Sequence, residues 1–313
     1  MRMFHYHAFG LKLESDIPLP ELHRGSGPGD VAITLVPYSD GSINDADARW
    51  FDGGGERVTL RLEGIEFVVE GGTSISIAPP PGTQDNDIRV WLLGTVMATL
   101  LHQRGYFSLH ANAVRLGGGG AAAFSGPSGA GKSTLAGLLD RAGFEVLGDD
   151  LCAIRFGADG APMLYAGIPR LKLWENTLDL FGRGSEGLEK VAHDLEKFHV
   201  PVGGRSEEGS LAPARLERLY LLDRKTRDDE PLIVPLSGAV AAGAVLDNTF
   251  RWGIGQSVGG EGARMQFDQA LAIARHCAVY RVARTWSEAA LFDEGAEIAA
   301  HLRNSEADGG AGS

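Results

Sequence analysis

Up to residue 81 the apolar positions fall in short runs set off by turn formers: Val31 to Val36, Arg57 to Leu62, Ile65 to Glu70 and Ser74 to Ile77. β-Branched and aromatic residues in stretches of this length predict strands, so the chain is expected to open with a β-rich module. The run Pro79-Pro80-Pro81-Gly82 then interrupts helix and ladder alike, because proline brings no amide donor. It sets an expected boundary near residue 85.

From Ile88 to Gln103 the period changes. Ile88, Trp91, Leu92, Thr95, Val96, Thr99 and Leu100 recur at helical spacing, which predicts a helix packed on the unit that follows. Phe107 to Leu116 and Ala121 to Phe124 predict two strands joined through Gly117 to Gly120. Thr134 to Ala142 predicts a helix closed by Gly143, and Phe144 to Leu147 a short strand delivering Asp149 and Asp150. Strand, glycine loop, helix and strand in that order predict a βαβ unit with parallel strands.

Farther on, the pattern predicts strands at Met163 to Ile168, Leu219 to Leu222 and Val279 to Val282, and helices at Leu173 to Phe181, Phe267 to His276 and Ser287 to Leu302. The polar, glycine-rich stretch from Gly182 to Pro213 predicts a mobile loop, and the tail from Asp308 to Ser313 has too little to bury to be ordered. The expected organisation is a β-rich module over 1–85, an α/β domain over 86–305 and a disordered tail over 306–313.

Composition narrows the partners. With 313 residues, 43% of them hydrophobic, the chain can bury one large or two medium cores. Its net charge of -12 repels phosphate backbones and anionic lipid, which argues against nucleic acid and membrane surfaces as partners. Two cysteines, Cys152 and Cys277, form neither a disulfide framework nor a metal clip, so a reducing, cytoplasmic setting is expected. The opening Met1 to His7 lacks the apolar core of an export signal, and the most apolar helical run, Val90 to Leu101, falls short of the roughly 20 residues that span a bilayer.

One motif carries chemistry. Gly126-Pro127-Ser128-Gly129-Ala130-Gly131-Lys132-Ser133 satisfies the GxxxxGK[ST] spacing of a phosphate-binding loop, and it lies between a predicted strand and a predicted helix. Glycines let successive amides converge on an anion, and the helix N-terminus adds positive potential. Lys132 is expected on the β- and γ-phosphates, the Ser133 hydroxyl on Mg2+, and Thr134 completes the nucleotide-binding stretch. A serine hydrolase centred on Ser128 is the weakest reading, because Ala130 stands where the GxSxG elbow needs glycine.

Asp149 and Asp150 would lie beside this loop if their strand neighbours the loop's own strand. Two adjacent carboxylates repel, so one can keep a raised pKa and take a proton from a hydroxyl. Asp149 is the expected base and Asp150 the metal-side carboxylate. In Leu109-His110-Ala111-Asn112-Ala113, alternation turns His110 and Asn112 to one face, a pattern that packing alone would also explain.

Leu109-His110-Ala111, Phe124 to Ser133 and Leu147-Gly148-Asp149-Asp150 together resemble the catalytic domain of HPr kinase/phosphorylase and its relatives, in order and in spacing. Phe9-Gly10-Leu11 and Ile17-Pro18-Leu19-Pro20-Glu21-Leu22 further resemble the HPr-kinase-like enzymes of lasso-peptide gene clusters. The resemblance implies an α/β P-loop kinase domain behind a smaller β-rich module, and a homo-oligomer of open number. It also implies that His110 supports the reacting phosphate, that Asp149 activates an acceptor hydroxyl, and that Asp150 and Ser133 hold Mg2+.

Thr134 stands where those kinases carry glutamate, and Gly167 to Lys172 lacks their acidic-arginine-glycine stretch. Reversal of the reaction and the HPr substrate therefore do not transfer. Arg170, Lys172 and Lys197 are candidate clamps for phosphate or an acidic peptide end. The expectation is an ATP- and Mg2+-dependent kinase acting on a serine-type hydroxyl of a peptide or protein, with a lasso-peptide precursor as one candidate. A small-molecule kinase with the same core and a nucleotide-gated binding module remain as alternatives.

Overall fold

Strict alternation of buried and solvent-facing positions, as in Arg57–Leu62 and Ile65–Glu70, makes strands that bury one face only. In a computed structural model, which describes residues 3–38, 49–192, 195–202, 211–250, 260–285 and 287–309, eight strands form the first sheet. They are β1 (Phe4–Ala8), β2 (Leu11–Ser15), β3 (His23–Arg24), β4 (Val31–Leu35), β5 (Arg49–Gly54), β6 (Arg57–Leu62), β7 (Ile65–Glu70) and β8 (Ser74–Ala78), in the order β3-β1-β2-β4-β8-β7-β6-β5. β4 runs parallel to β2 and β8, and the other pairs are antiparallel.

The helix after the proline run covers this sheet. It consists of α1 (Asp85–Trp91), a π-helical stretch over Leu92–Val96 and α2 (Met97–Gln103). Its buried residues, among them Ile88, Leu92, Val96 and Leu100, share a core with Leu13, Ile33, Phe67 and Ile75 of the sheet. The expected packing on the following unit holds as well, because the same core takes in Leu151, Ala153, Ile168 and Phe250. A sheet with one apolar face needs a cover, and this helix is next in the chain.

Behind it lies a nine-stranded sheet made of β9 (Phe107–Leu109), β10 (Ala111–Arg115), β11 (Ala121–Ser125), β12 (Val146–Gly148), β13 (Cys152–Phe156), β14 (Pro162–Tyr165), β17 (Ala214–Arg224), β18 (Ile233–Leu236) and β19 (Ala278–Arg284). β15 (Arg170–Trp174) and β16 (Lys197–Pro201) form a separate two-stranded ribbon. The central strand β11 is buried along its whole length. Ala122 and Phe124 enter one core with Leu135, Leu139, Ile298 and Leu302. Ala121 and Ala123 enter another with Ala241, Val245, Ala270 and Ile273 on the opposite face. Helices thus cover both faces, the α/β arrangement in which ligands sit beyond strand ends.

Several expectations change here. β12 does not neighbour β11: β10 stands between them, antiparallel to both, and the parallel partners of β11 and β17 come from later in the chain. Residues 170–174, expected to open a helix at Leu173, alternate with period two and pair with β16, so the helix α4 spans only Glu175–Leu180. The polar stretch expected as a loop contains β16, while its residues 193–194 and 203–210 lie outside the described residues. The C-terminal helix runs Glu288–Gly309 through the start of the expected tail, and 310–313 lie outside the description. Among the described residues no helix is long and apolar enough to cross a membrane.

Candidate functional site

The loop after β11 bends where only glycine fits. Gly126 adopts φ 146°, and a Cβ there would stand 2.5 Å from the Leu222 carbonyl oxygen; Gly129 and Gly131 follow at φ 82° and 79°. Gly131 caps α3 (Lys132–Arg141), so the amides of its first turn open toward the loop mouth. Lys132 Nζ donates to the carbonyls of Gly126 at 2.8 Å and Pro127 at 3.2 Å. Burial lowers the Lys132 pKa, against the opposing pull of Asp150 and Asp149. Ser128, Gly129, Gly131, Lys132, Ser133 and Thr134 line a cleft of about 260 Å³. Gly126, Pro127 and Ala130 do not line it: the first two hold Lys132, and the Ala130 carbonyl accepts from Arg284 Nη1 at 3.1 Å.

Opposite the loop, two strand tracks break at the same level. His110 interrupts β9 and β10, and Asp149 to Leu151 interrupts β12 and β13, while β9 pairs with β13 and β10 with β12. The breaks turn His110 and Asp150 into the cleft, where His110 Nε2 lies 3.0 Å from Asp150 Oδ1. Asp150 sits at φ 72°, a left-handed conformation that aspartate tolerates better than most residues and that is frequent at functional sites. Lys172 Nζ approaches Asp150 Oδ2 at 3.4 Å. Burial alone would raise the Asp150 pKa, but Lys172 and His110 hold it below the usual carboxylate range.

Asp149 is placed differently. It is 1% exposed and takes three donors: Asn112 Nδ2 at 2.7 Å and Ser133 Oγ at 3.1 Å on Oδ1, and the Lys172 amide at 2.6 Å on Oδ2. Burial first, and the neighbouring Asp150 second, raise its pKa. Although β12 is one strand removed from the loop strand, α3 reaches back over β10 and brings Ser133 to Asp149.

Of the three candidate clamps, Lys172 and Lys197 line the cleft from the β15–β16 ribbon, joined by Trp174, which is 50% exposed. Arg170 does not line it, because its guanidinium is bonded to the Pro20 carbonyl. The residues that hold this ribbon were not legible beforehand. Arg89, on α1, pairs with Glu21 at 2.7 Å and with Glu189, and Glu21 is 1% exposed. His199 of β16 lies 3.8 Å from the same Glu21 oxygen. An acid at the end of the proline-rich apolar run Ile17 to Pro20, followed by Leu22, was the available signal.

Lys132, Lys172 and Lys197 around loop amides suit a polyphosphate, and Asp150 beside His110 suits a hydroxyl at its end. Among the described residues no three His, Cys, Asp or Glu side chains form a metal cluster. A cation held mainly by phosphate oxygens and water needs only one or two protein oxygens, however, and Ser133, which lines the cleft with Asp149 bonded behind it, fits Mg2+ in that sense.

No protein-family model matches the chain, and no curated protein does. Among solved structures, the HPr(Ser) kinase/phosphatase from Coxiella burnetii covers 62% of this chain and 96% of its own, at 12% sequence identity and a TM-score of 0.32. That likeness is remote and carries no weight for fold or function.

Proposed function

We propose that the chain is an ATP- and Mg2+-dependent phosphotransferase that moves the γ-phosphate to a serine-type hydroxyl of a peptide or protein. The supporting observation is the convergence on one cleft of a glycine loop with Lys132 and Ser133 and of the His110–Asp150 pair, with Asp149 bonded to Ser133 from behind the cleft wall. In this reading the loop amides and Lys132 hold the phosphates, and Lys172 and Lys197 neutralise charge on the far side. Mg2+, held from Ser133 and Asp149, would neutralise charge on the phosphates.

The roles of the two carboxylates are exchanged relative to the sequence-based expectation. Asp149 is buried and already bonded to Ser133, so it serves the metal side. Asp150 faces the cleft, and it orients the acceptor hydroxyl and receives its proton, with His110 holding the carboxylate in place. A low pKa does not disqualify it, because phosphoryl transfer asks more for positioning than for a strong base. Exposed Trp174 at the cleft margin, and the motif resemblance to kinases of lasso-peptide clusters, favour a peptide acceptor; the latter makes a lasso-peptide precursor the first candidate. Residues 1–85 and 86–305 are proposed as the two domains, the second carrying the chemistry.

The test is transfer of labelled γ-phosphate from ATP with Mg2+ to a peptide panel and, in parallel, to a panel of small hydroxyl metabolites. Labelled phosphoserine in a peptide supports the reading, whereas label only in metabolites favours a small-molecule kinase. Wild-type protein without Mg2+-assisted ATP affinity, or Lys132→Ala with affinity unchanged, would sink both.

A further inference from the structure

On the other side of the phosphate loop from His110 and Asp150 lies a second cleft of about 290 Å³. It shares Gly129, Gly131, Thr134 and Thr177 with the first cleft, so the two are continuous across the start of α3. Its far end is built from α4 and the C-terminal helix Glu288–Gly309, which contribute Asn176, Leu180, Glu288 and Leu291.

The two clefts differ in charge. Lys132, Lys172 and Lys197 point into the first. In the second the cation is Arg284, whose Nε is paired with Glu294 at 3.0 Å and whose Nη1 is spent on the Ala130 carbonyl, while the exposed Glu288 adds a negative charge. An anion is favoured in the first cleft and opposed in the second. Leu180 and Leu291 supply apolar surface for a flat ring, while Asn176 and Glu288 supply groups for its polar edge. Each cleft alone is smaller than the usual ligand site of about 300 to 1,000 Å³, and the pair together suits one elongated ligand with an anionic and a neutral end.

We propose that this second cleft is the nucleoside subsite, taking the purine base and ribose of the nucleotide whose phosphates occupy the first. The inference rests on the phosphate-loop reading above. It assigns base recognition to α4 and the C-terminal helix, neither of which belongs to the loop motif.

The probes are ATP and inorganic tripolyphosphate, each with Mg2+, titrated calorimetrically into the full-length chain. The wild type is expected to bind ATP at least about tenfold more tightly than tripolyphosphate. Asn176→Trp, at an exposed position, fills the subsite and is expected to erase most of that gap while leaving tripolyphosphate affinity within about twofold. Glu288→Trp closes the cleft from the C-terminal helix and should act alike, whereas Lys132→Ala should weaken both ligands. Equal affinity of the wild type for the two ligands would overturn the subsite and leave the phosphate loop standing. So would Trp variants that weaken both ligands alike, or neither. If the wild type binds neither ligand, the phosphate-loop reading fails and the subsite falls with it.

Discussion

The two sheets of this chain handle polar groups in opposite ways. In the N-terminal sheet, strands such as β6 and β7 bury alternate residues and end in ordinary turns. In the nine-stranded sheet, β11 is buried on both faces, so its polar business is confined to the strand end and to the breaks at His110 and Asp149 to Leu151. The difference teaches where chemistry can sit: a sheet covered on both faces offers reactive groups only where its ladders stop. The first sheet still reaches the site, through the Glu21–Arg89 pair that anchors the ribbon bearing Lys172 and Lys197.

The strongest way to break the comparison is at the ladder breaks themselves. Asp150→Asn is expected to slow phosphate transfer about a thousandfold, or about 4 kcal/mol in the barrier, with nucleotide affinity kept. Asp149→Asn should instead lose the Mg2+-dependent part of that affinity. Calorimetry with and without Mg2+, beside a transfer assay, separates the two, and the reverse assignment would restore Asp149 as the acceptor-side group.

Next comes the anchor. Arg89→Ala leaves Glu21 buried without its cation and should cost about 3 kcal/mol in urea unfolding, since a broken buried pair strands a charge. It should also weaken tripolyphosphate binding, although Arg89 does not line the cleft beside the glycine loop. Replacing both partners, Arg89→Met with Glu21→Leu, should recover much of the stability. Unchanged phosphate binding in Arg89→Ala would show that the first sheet does not position the ribbon.

A smaller effect follows from the buried histidines. Burial lowers His199 from 6.5 to about 3, with Lys172 and other cations adding to the shift, and burial lowers His102 to about 4. Both are neutral in the folded chain, whereas the unfolded chain takes up their protons once the pH drops below 6.5. Their contribution is whole above that pH and is lost as the pH falls toward 4, at about 2 kcal/mol each between pH 6.5 and 5. Asp149, with its raised pKa, offsets part of this. Unfolding at pH 7 and 5 measures the slope, and His199→Gln should flatten it.

The smallest expected change tests the junction between the sheets. The Phe9 amide donates to the Ala166 carbonyl at 2.7 Å, and a Cβ on Gly167 would stand 2.6 Å from the ring of Phe9, which is fully buried. Gly167→Ala should therefore cost about 1 to 2 kcal/mol through overpacking, visible as a lower unfolding midpoint. The Gly167 amide bonds the Leu147 carbonyl, two residues before Asp149, so a drop in Mg2+-assisted binding should accompany it.

Much of the site was legible because its logic is local. The loop from Gly126 to Ser133 needs its residue types in consecutive order, and glycine spacing followed by a helical period announces it without reference to anything distant. β6, β7 and β8 were legible for the same reason, since each alternates within itself. β15 was not: five residues ahead of a short helix satisfy either period, and only pairing with β16 decides between them.

What the amino-acid sequence determined by itself is the glycine loop from Gly126 to Ser133 and the candidacy of His110, Asp149 and Asp150. Tertiary structure alone decided that β10 stands between β11 and β12, that Asp149 turns inward to Ser133 while Asp150 faces the cleft, and that Glu21 and Arg89, 68 positions apart, hold the ribbon. The reason is physical. Backbone conformation and periodicity are set by neighbours in the chain, whereas desolvation and ion pairing depend on which segments share a buried volume, and that is known only once the sheets have packed.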